Sequence, residues 1–141
     1  MNTPTSPIIV FLCVADNAAK STRICKMARH YFEQGQRILI TASSNEAAQY
    51  IDLLLWRLPE EGFIPHVISD QSAEAAIVIT TTQMNLNKAS ILLNLCPEVS
   101  PMYAQFAKVY ELWDETHPDK RRLSEERRMA YQTRGHHVHL S

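Results

Sequence analysis

The chain has 141 residues, a formal net charge of −1 at pH 7 and 45% hydrophobic residues. This length is typical of one domain and buries about 68% of the surface of the unfolded chain, so that no disulfide or metal is needed to hold the fold. A net charge near zero produces no global field that attracts nucleic acid, and any contact with DNA or an acidic peptide must therefore be local.

The cysteines indicate a reducing compartment. Cys13, Cys25 and Cys96 are odd in number, widely spaced and without a Cys-x-x-Cys pair, which is typical of ordinary buried thiols. The apolar run that begins at Ile8 is too short for a signal peptide or a membrane span, and no basic residue precedes it. We therefore expect a cytoplasmic protein that does not contact a membrane.

The first part of the chain alternates between predicted strands and helices. The continuous apolar run at 8–15 predicts a strand buried on both faces, and Asp16 is a good cap for a helix that extends to about Gln34. Gly35 lies where a C-terminal cap belongs, and residues 37–41 predict a second strand. This alternation with short links indicates a parallel sheet with right-handed crossovers.

The second predicted helix lies between Ser43 and Pro59. Ser43 with Glu46 three residues later fits a capping box, and the core-facing stripe consists of Ala47, Ile51, Leu54, Leu55 and Leu58. Trp56 lies almost opposite to this stripe. Its ring either folds back along the helix edge or is a surface aromatic for a protein partner, and Phe63 at the same end of the helix–turn–strand unit favours the partner.

The alternation is less regular beyond His66. Strands are predicted within three ranges, 63–68, 75–81 and 91–96. One or two helical turns at 102–107 lead into a further predicted strand at 108–113.

The last predicted helix carries the densest cluster of cations. It runs from about Pro118 to Arg134 and stops at Gly135, with Tyr131 at the edge of an inward face formed by Leu123, Arg127 and Ala130. A run of charges usually forms a solvated face with intrahelical ion pairs, and the alternative is an acceptor for an acidic partner or a phosphate backbone. The residues that follow, 136–141, are predicted to be a mobile tail.

The sequence offers little support for catalysis. Residues 16–22 end in Lys-Ser-Thr as a phosphate loop does, but lack both glycines that let such a loop wrap phosphate oxygens. Cys13 and Cys96 lie in apolar runs where thiols are usually inert, and no histidine spacing suggests a triad or a supported metal site. We expect no catalytic residue, metal or cofactor. The alternative is a small α/β nucleotide-binding protein or enzyme that uses the loop after the first strand.

The most specific sequence pattern is Leu55-Trp56, then Pro59, then Phe-Ile-Pro-His at 63–66. It is accompanied in order and spacing by residues along nearly the whole chain: Arg37 to Ile40, Asp52, Ile91 to Leu95, Phe106, Val109, Arg127, Ala130, Tyr131 and Gly135. With these residues the chain resembles the chi subunit family of bacterial DNA polymerase III holoenzyme.

The resemblance implies a single three-layer α/β/α domain over residues 1–141, with a mixed, largely parallel sheet that looks like a nucleotide-binding fold without its phosphate loop. It also implies a non-catalytic accessory subunit of a DNA-directed DNA polymerase. Chi-like proteins pair with the psi subunit of the clamp loader and bind the acidic C-terminal tail of single-stranded DNA-binding protein, so that their contact with DNA is indirect.

The resemblance also implies which residues form the two interfaces. It places Trp56 and Phe63 on the psi-facing surface, and we extend this predicted interface to Pro59 and Ile64. It assigns the tail-binding site to the last helix, where family members tend to have basic residues one turn apart and this chain reads Arg121, Glu125, Met129. Since neighbouring cations can substitute, the predicted tail site consists of Arg121, Arg122, Arg128, Met129 and Tyr131.

Overall fold

The computed structural model describes residues 6–57, 62 and 64–141. In chain order these residues form β1 (Ile8–Val14), α1 (Asn17–Glu33), β2 (Ile38–Thr41), α2 (Asn45–Arg57), β3 (Val67–Ile68), β4 (Ile77–Thr80), β5 (Ile91–Asn94), a 3₁₀ turn (Tyr103–Gln105), β6 (Lys108–Asp114), α3 (Pro118–Thr133) and β7 (Val138–Leu140). Within the described ranges, no helix is long and apolar enough to cross a membrane.

The strands form one sheet in the order β3-β4-β2-β5-β6-β1-β7. Each pairing among the described strands is parallel, which confirms the predicted α/β fold. The sheet was predicted to be mixed, but the described strands include no antiparallel pair. Parallel strands need crossover connections, and the three helices supply three of them.

The side chains of the inner strands alternate between two cores. In β1, Val10 and Leu12 face the core covered by α1 and α2, whereas Ile9 and Phe11 face the core covered by α3. Both faces are therefore buried, which explains the continuous apolar run in the sequence and confirms the three-layer architecture.

The helix ends follow their local sequence signals with one exception. The side chain of Asp16 accepts a hydrogen bond from a backbone N–H in the first turn of α1, and Gly35 follows the helix with φ 70°. At the start of α2 the capping hydroxyl belongs to Ser44, so the predicted capping box at Ser43 and Glu46 is wrong by one residue. The predicted end of this helix at Pro59 lies outside the described residues.

The prediction that residues 136–141 form a mobile tail is wrong, because residues 138–140 form strand β7 beside β1. Ser141 continues the pairing: its N–H donates to the carbonyl of Phe11 and its carbonyl accepts from the N–H of Cys13, at 2.9 Å each. The guanidinium of Arg23 also donates to the Ser141 carbonyl at 2.7 Å. These bonds satisfy backbone groups at the edge of β1 and hold the segment against the sheet.

Candidate functional site

The outer side of α2 carries three large exposed apolar side chains among polar ones. Tyr50, Leu53 and Trp56 follow at three-residue spacing and are 45–56% exposed. Ile68 of the adjacent edge strand β3 is also exposed and, by its register with Ile79, lies on the same face of the sheet. We call these four residues the α2 surface. Exposed apolar side chains grouped in this way are typical of interaction surfaces.

Trp56 is more than half exposed, whereas the preceding residue Leu55, about 100° away around the helix, is fully buried. Its indole packs edge-on against the imidazole of buried His66, with ring centroids 5.5 Å apart. The His66 ring is in turn fixed by the Asp52 carboxylate at 2.9 Å and by the Ile64 carbonyl at 2.6 Å. The indole is therefore supported on one side and exposed to solvent on the other.

Of the other three residues predicted for the psi interface, Ile64 is the one that the structure describes. Ile64 is fully buried in the core shared with α1 and α2, and its assignment to a surface is therefore wrong. Its apolar side chain is inward because the segment that leads into β3 packs over α2. Pro59 and Phe63 lie outside the described residues. Sequence reasoning missed Tyr50 and Leu53, although both precede Trp56 at the spacing of one helix side.

The outer side of α3 is charged, as predicted. Arg121, Arg122 and Met129 are exposed, and Arg122 is paired with Glu126 at 3.0 Å along the helix. We call the outward residues Arg121, Arg122, Glu125, Arg128 and Met129 the α3 surface. It contains cations, one anion and an apolar thioether in adjacent turns.

Arg128 is the cation of this surface with a fixed position. Its guanidinium lies over the ring of Trp113, 5.7 Å from the centroid, and the indole N–H of Trp113 donates to the carboxylate of Glu115 at 3.0 Å. Stacking on an aromatic ring restricts the side chain while leaving donors of the guanidinium available. Arg121 and Glu125 line a groove against the loop that carries Glu115.

The prediction that Tyr131 contacts the peptide tail is wrong, because its side chain is fully buried. Its hydroxyl donates to Oε2 of Glu111 at 2.6 Å, and its ring packs edge-on against Phe11. The inward side of α3 is therefore wider than predicted, with Arg127 at its centre and both Ser124 and Tyr131 buried.

Glu111 joins α3 to the sheet through a buried polar network. Its Oε1 lies 2.9 Å from Nε of Arg127, and its Oε2 accepts from the side-chain amide of Asn94 at 3.0 Å. Burial raises the pKa of Glu111 to about 7, although Arg127, Tyr131 and Asn94 act in the opposite direction. The remaining Arg127 donors reach the carbonyls of Pro97 and Leu112 at 3.0 Å. This network fixes α3 on the sheet.

The loop after β1 uses its charged groups within the protein. The Asp16 carboxylate accepts a hydrogen bond at the N-terminus of α1, and the Lys20 ammonium lies 2.7 Å from the Asp114 carboxylate. Burial alone would raise the pKa of Asp114, but hydrogen bonds from Lys20 and Thr116 outweigh it and keep this pKa below its usual range. The groups that a phosphate loop directs at a nucleotide thus already have partners here.

The thiols and possible metal ligands add no reactive centre among the described residues. Burial raises the pKa of the Cys25 and Cys96 thiols, as expected for inert cysteines. Cys13 is exposed, so the prediction that it is buried is wrong. The described part of the chain also contains no group of three or more His, Cys, Asp or Glu side chains that could hold a metal ion.

Comparison with known proteins gives a consistent result. Residues 7–139 match the model of the family described as DNA polymerase III chi subunit, HolC. The chain is 28% identical over 98 residues to the DNA polymerase III subunit chi of Pseudomonas aeruginosa, which covers 70% of this chain and 69% of that protein. Identity to the proteins of the same name is 26% over 90 residues in Haemophilus influenzae (62% of each chain) and 24% over 121 residues in Escherichia coli (84% of this chain, 82% of that protein).

Proposed function

The chain belongs to the DNA polymerase III chi subunit family, whose members are accessory and not catalytic subunits, and we propose that it links two other replication proteins. One is a psi-like subunit of the clamp loader, bound at the α2 surface. The other is single-stranded DNA-binding protein, bound through its acidic C-terminal tail at the α3 surface. The protein acts in the bacterial cytoplasm during DNA replication and contacts DNA only through these partners.

The observation that carries this proposal is that the two surfaces lie on opposite faces of one sheet. Helix α2 packs on the core with Ile51 and Leu55, whereas α3 packs on the other core with Tyr131. A linker needs surfaces that can be occupied at the same time, and the sheet separates them by its full thickness. Their chemistry also differs, which favours two partners of different kinds.

The α2 surface suits an apolar partner surface. Trp56 presents a large aromatic ring that packs against His66, and Leu53 is exposed three residues earlier on the same side of the helix. Aromatic residues in such positions are enriched among the side chains that dominate binding energy. With Ile64 buried, we propose Tyr50, Leu53 and Trp56 as the described part of the psi-like interface.

The α3 surface suits an acidic peptide. Arg121 and Arg128 lie on the same side of α3, and a guanidinium can bond both oxygens of a carboxylate at once. Arg122 contributes less because Glu126 already occupies it. Glu125 lies between Arg121 and Arg128 and repels an acidic tail, while exposed Met129 offers an apolar contact to its terminal aromatic residue. Binding at this surface is therefore weak and sensitive to salt.

A bridging assay tests the proposal. A peptide of the acidic tail is immobilised, and capture of a purified psi-like subunit is measured with and without this chain. Trp56→Ala should abolish capture of the psi-like subunit while the chain itself still binds the peptide. The double variant Arg121→Ala/Arg128→Ala should lose the peptide but still bind the psi-like subunit in solution.

Two controls make the assay decisive. Lys26→Ala removes an exposed cation from α1 and should leave both interactions intact. Circular dichroism must show that each variant is folded. If the psi-like subunit binds Trp56→Ala as tightly as the unchanged chain, the α2 surface is not its site. If the tail peptide binds the double arginine variant normally, the α3 surface is not the tail site.

A further inference from the structure

A cleft of about 570 Å³ opens at the carboxyl edge of the sheet, where β1, β2, β5 and β6 end. The connections that leave β1 and β2 pass over the face covered by α1 and α2. Those that leave β5 and β6 pass over the face covered by α3. Where adjacent strands of an open parallel sheet send their connections to opposite faces, a crevice forms that often holds a ligand.

The walls of this cleft are largely apolar. They consist mainly of side chains from the first turns of α2, the ends of β5 and β6 and the inner edge of α3, including Ala47, Tyr50, Ile51, Leu95, Leu112 and Leu123. Both the volume and the predominance of apolar residues with a few polar groups are typical of sites for small molecules. The body of a ligand in this cleft is therefore expected to be apolar.

The charged groups of the cleft leave one cation available. Lys20 is paired with Asp114 at 2.7 Å, and Arg127 is occupied by Glu111 and by backbone carbonyls. The ammonium of Lys120 has neither a hydrogen bond nor an ion pair with any of the residues that the structure describes. An apolar cleft with one available cation at its rim is complementary to an apolar molecule with a single negative charge.

We propose that this cleft binds a small apolar monocarboxylate, such as an aromatic or branched aliphatic acid. The carboxylate pairs with Lys120, and the apolar body packs against Leu95 and Leu123. Polyphosphates are disfavoured because Asp114 lies in the cleft and the carboxylate of Asp16 already caps the N-terminus of α1. Tyr50 borders both this cleft and the α2 surface, whereas Lys120, Leu95 and Leu123 belong to the cleft alone, and the site does not depend on the proposed linking function.

Titration with 3-phenylpropionate, followed by ¹H–¹⁵N correlation spectra of the full chain, tests the proposal. The expected shifts are confined to amides around the cleft, such as those of Ala47, Leu95 and Leu123. Lys120→Gln should weaken binding by up to about fivefold, as expected for one exposed ion pair. Lys26→Gln is the matched control because it removes another exposed helical lysine that is not part of the cleft lining, and it should leave the affinity unchanged.

A second pair of variants tests the apolar wall. Leu123→Ala should weaken binding, whereas Leu53→Ala on the α2 surface should not. The uncharged analogue 3-phenylpropanol should bind more weakly than the acid. The proposal is overturned if the shifts cluster around Trp56, if Lys120→Gln and Lys26→Gln bind equally, or if ATP shifts the cleft amides at lower concentration than 3-phenylpropionate does.

Discussion

Helices α2 and α3 cover opposite faces of the sheet and differ on both their inner and their outer sides. The buried side chains of α2 are Ala48, Ile51 and Leu55, and its outer side also carries large apolar residues, Tyr50, Leu53 and Trp56. The buried side chains of α3 are Ser124, Arg127 and Tyr131, and its outer side is charged. Neither helix therefore follows the usual rule of an apolar inner side and a polar outer side.

The two helices are held on the sheet in different ways. Mainly apolar side chains pack α2 on the sheet, together with the pairing of Asp52 with buried His66, and the exposed aromatic residues of α2 cost solubility unless they are covered. Directional hydrogen bonds to Glu111 fix the rotation of α3 about its axis. That rotation determines where Arg121 and Arg128 point, which matters for a partner recognised by charge.

The largest effect is expected from removing the charged centre of α3. At pH 8, where Glu111 is charged, Arg127→Ala should lower the free energy of unfolding by about 3–5 kcal/mol, because it leaves the buried carboxylate without its ion pair. Urea denaturation measures this change. The control is Arg122→Ala, which removes an exposed ion pair from the same helix and should cost at most about 1 kcal/mol. Equal losses would show that Arg127 is not the residue that fixes α3.

Two adjacent residues of α2 test whether its inner and outer sides differ as described. Leu55→Ala should lower the free energy of unfolding by about 2–5 kcal/mol, since Leu55 is fully buried. Trp56→Ala should lower it by about 1 kcal/mol or less, because most of the indole is exposed. Thermal and urea unfolding of both variants measure the contrast. If Trp56→Ala is as destabilising as Leu55→Ala, the indole belongs to the core and the α2 surface loses its central residue.

The buried carboxyl of Glu111 should make stability depend on pH. Its pKa is about 7 in the folded chain, above the ordinary value of 4.5, so the folded state keeps a proton that the unfolded state releases between these two values. The free energy of unfolding should therefore fall as the pH rises from 4.5 to 7, by on the order of 3 kcal/mol for this group.

Glu111→Gln is neutral at every pH and isolates this contribution. Urea denaturation near pH 5 and near pH 8 should show a smaller loss of stability for Glu111→Gln than for the unchanged chain. All other titratable groups are common to both proteins, so the difference between them reports Glu111. Identical pH profiles would mean that Arg127, Tyr131 and Asn94 keep the carboxylate charged throughout.

The smallest effect concerns the outer side of α3. Glu125→Lys replaces repulsion by attraction between Arg121 and Arg128 and should tighten binding of the acidic tail peptide, by up to about fivefold at low salt. Fluorescence anisotropy of a labelled peptide at two salt concentrations measures this gain. Glu46→Lys makes the same charge change on α2 and should have little effect. If both variants tighten peptide binding by a similar factor, the gain comes from the net charge of the chain and not from a specific site on α3.

The fold was predictable from the sequence where the signals are local. Continuous apolar runs identify strands buried on both faces, and Asp16 and Gly35 mark the two ends of α1 within one residue. Strand β7 was missed because three residues, one of them histidine, have no pattern of their own. Their pairing depends on β1, which is more than a hundred residues earlier in the chain.

The candidate site was predictable only for residues that point outward from a regular helix. Trp56 and Arg121 are exposed as their helical positions predict, whereas Tyr131 is buried. The sequence did contain a signal for the buried network, because Glu111 interrupts the apolar strand β6. Its partners come from β5 and α3, and a single sequence does not show which distant polar residues meet a buried carboxylate.

The pairing of β1 has a consequence for synthesis on the ribosome. Strand β2 pairs with β4 and with β5, and all three lie within residues 38–94, so this half of the sheet can assemble as soon as they emerge. Strand β1 is made first, and its partners among the described strands are β6 and β7, which emerge after residue 107. During elongation its seven residues, Ile-Ile-Val-Phe-Leu-Cys-Val, have no strand partner. The nascent chain is therefore exposed to aggregation through this strand, and to binding by chaperones, until β6 is complete.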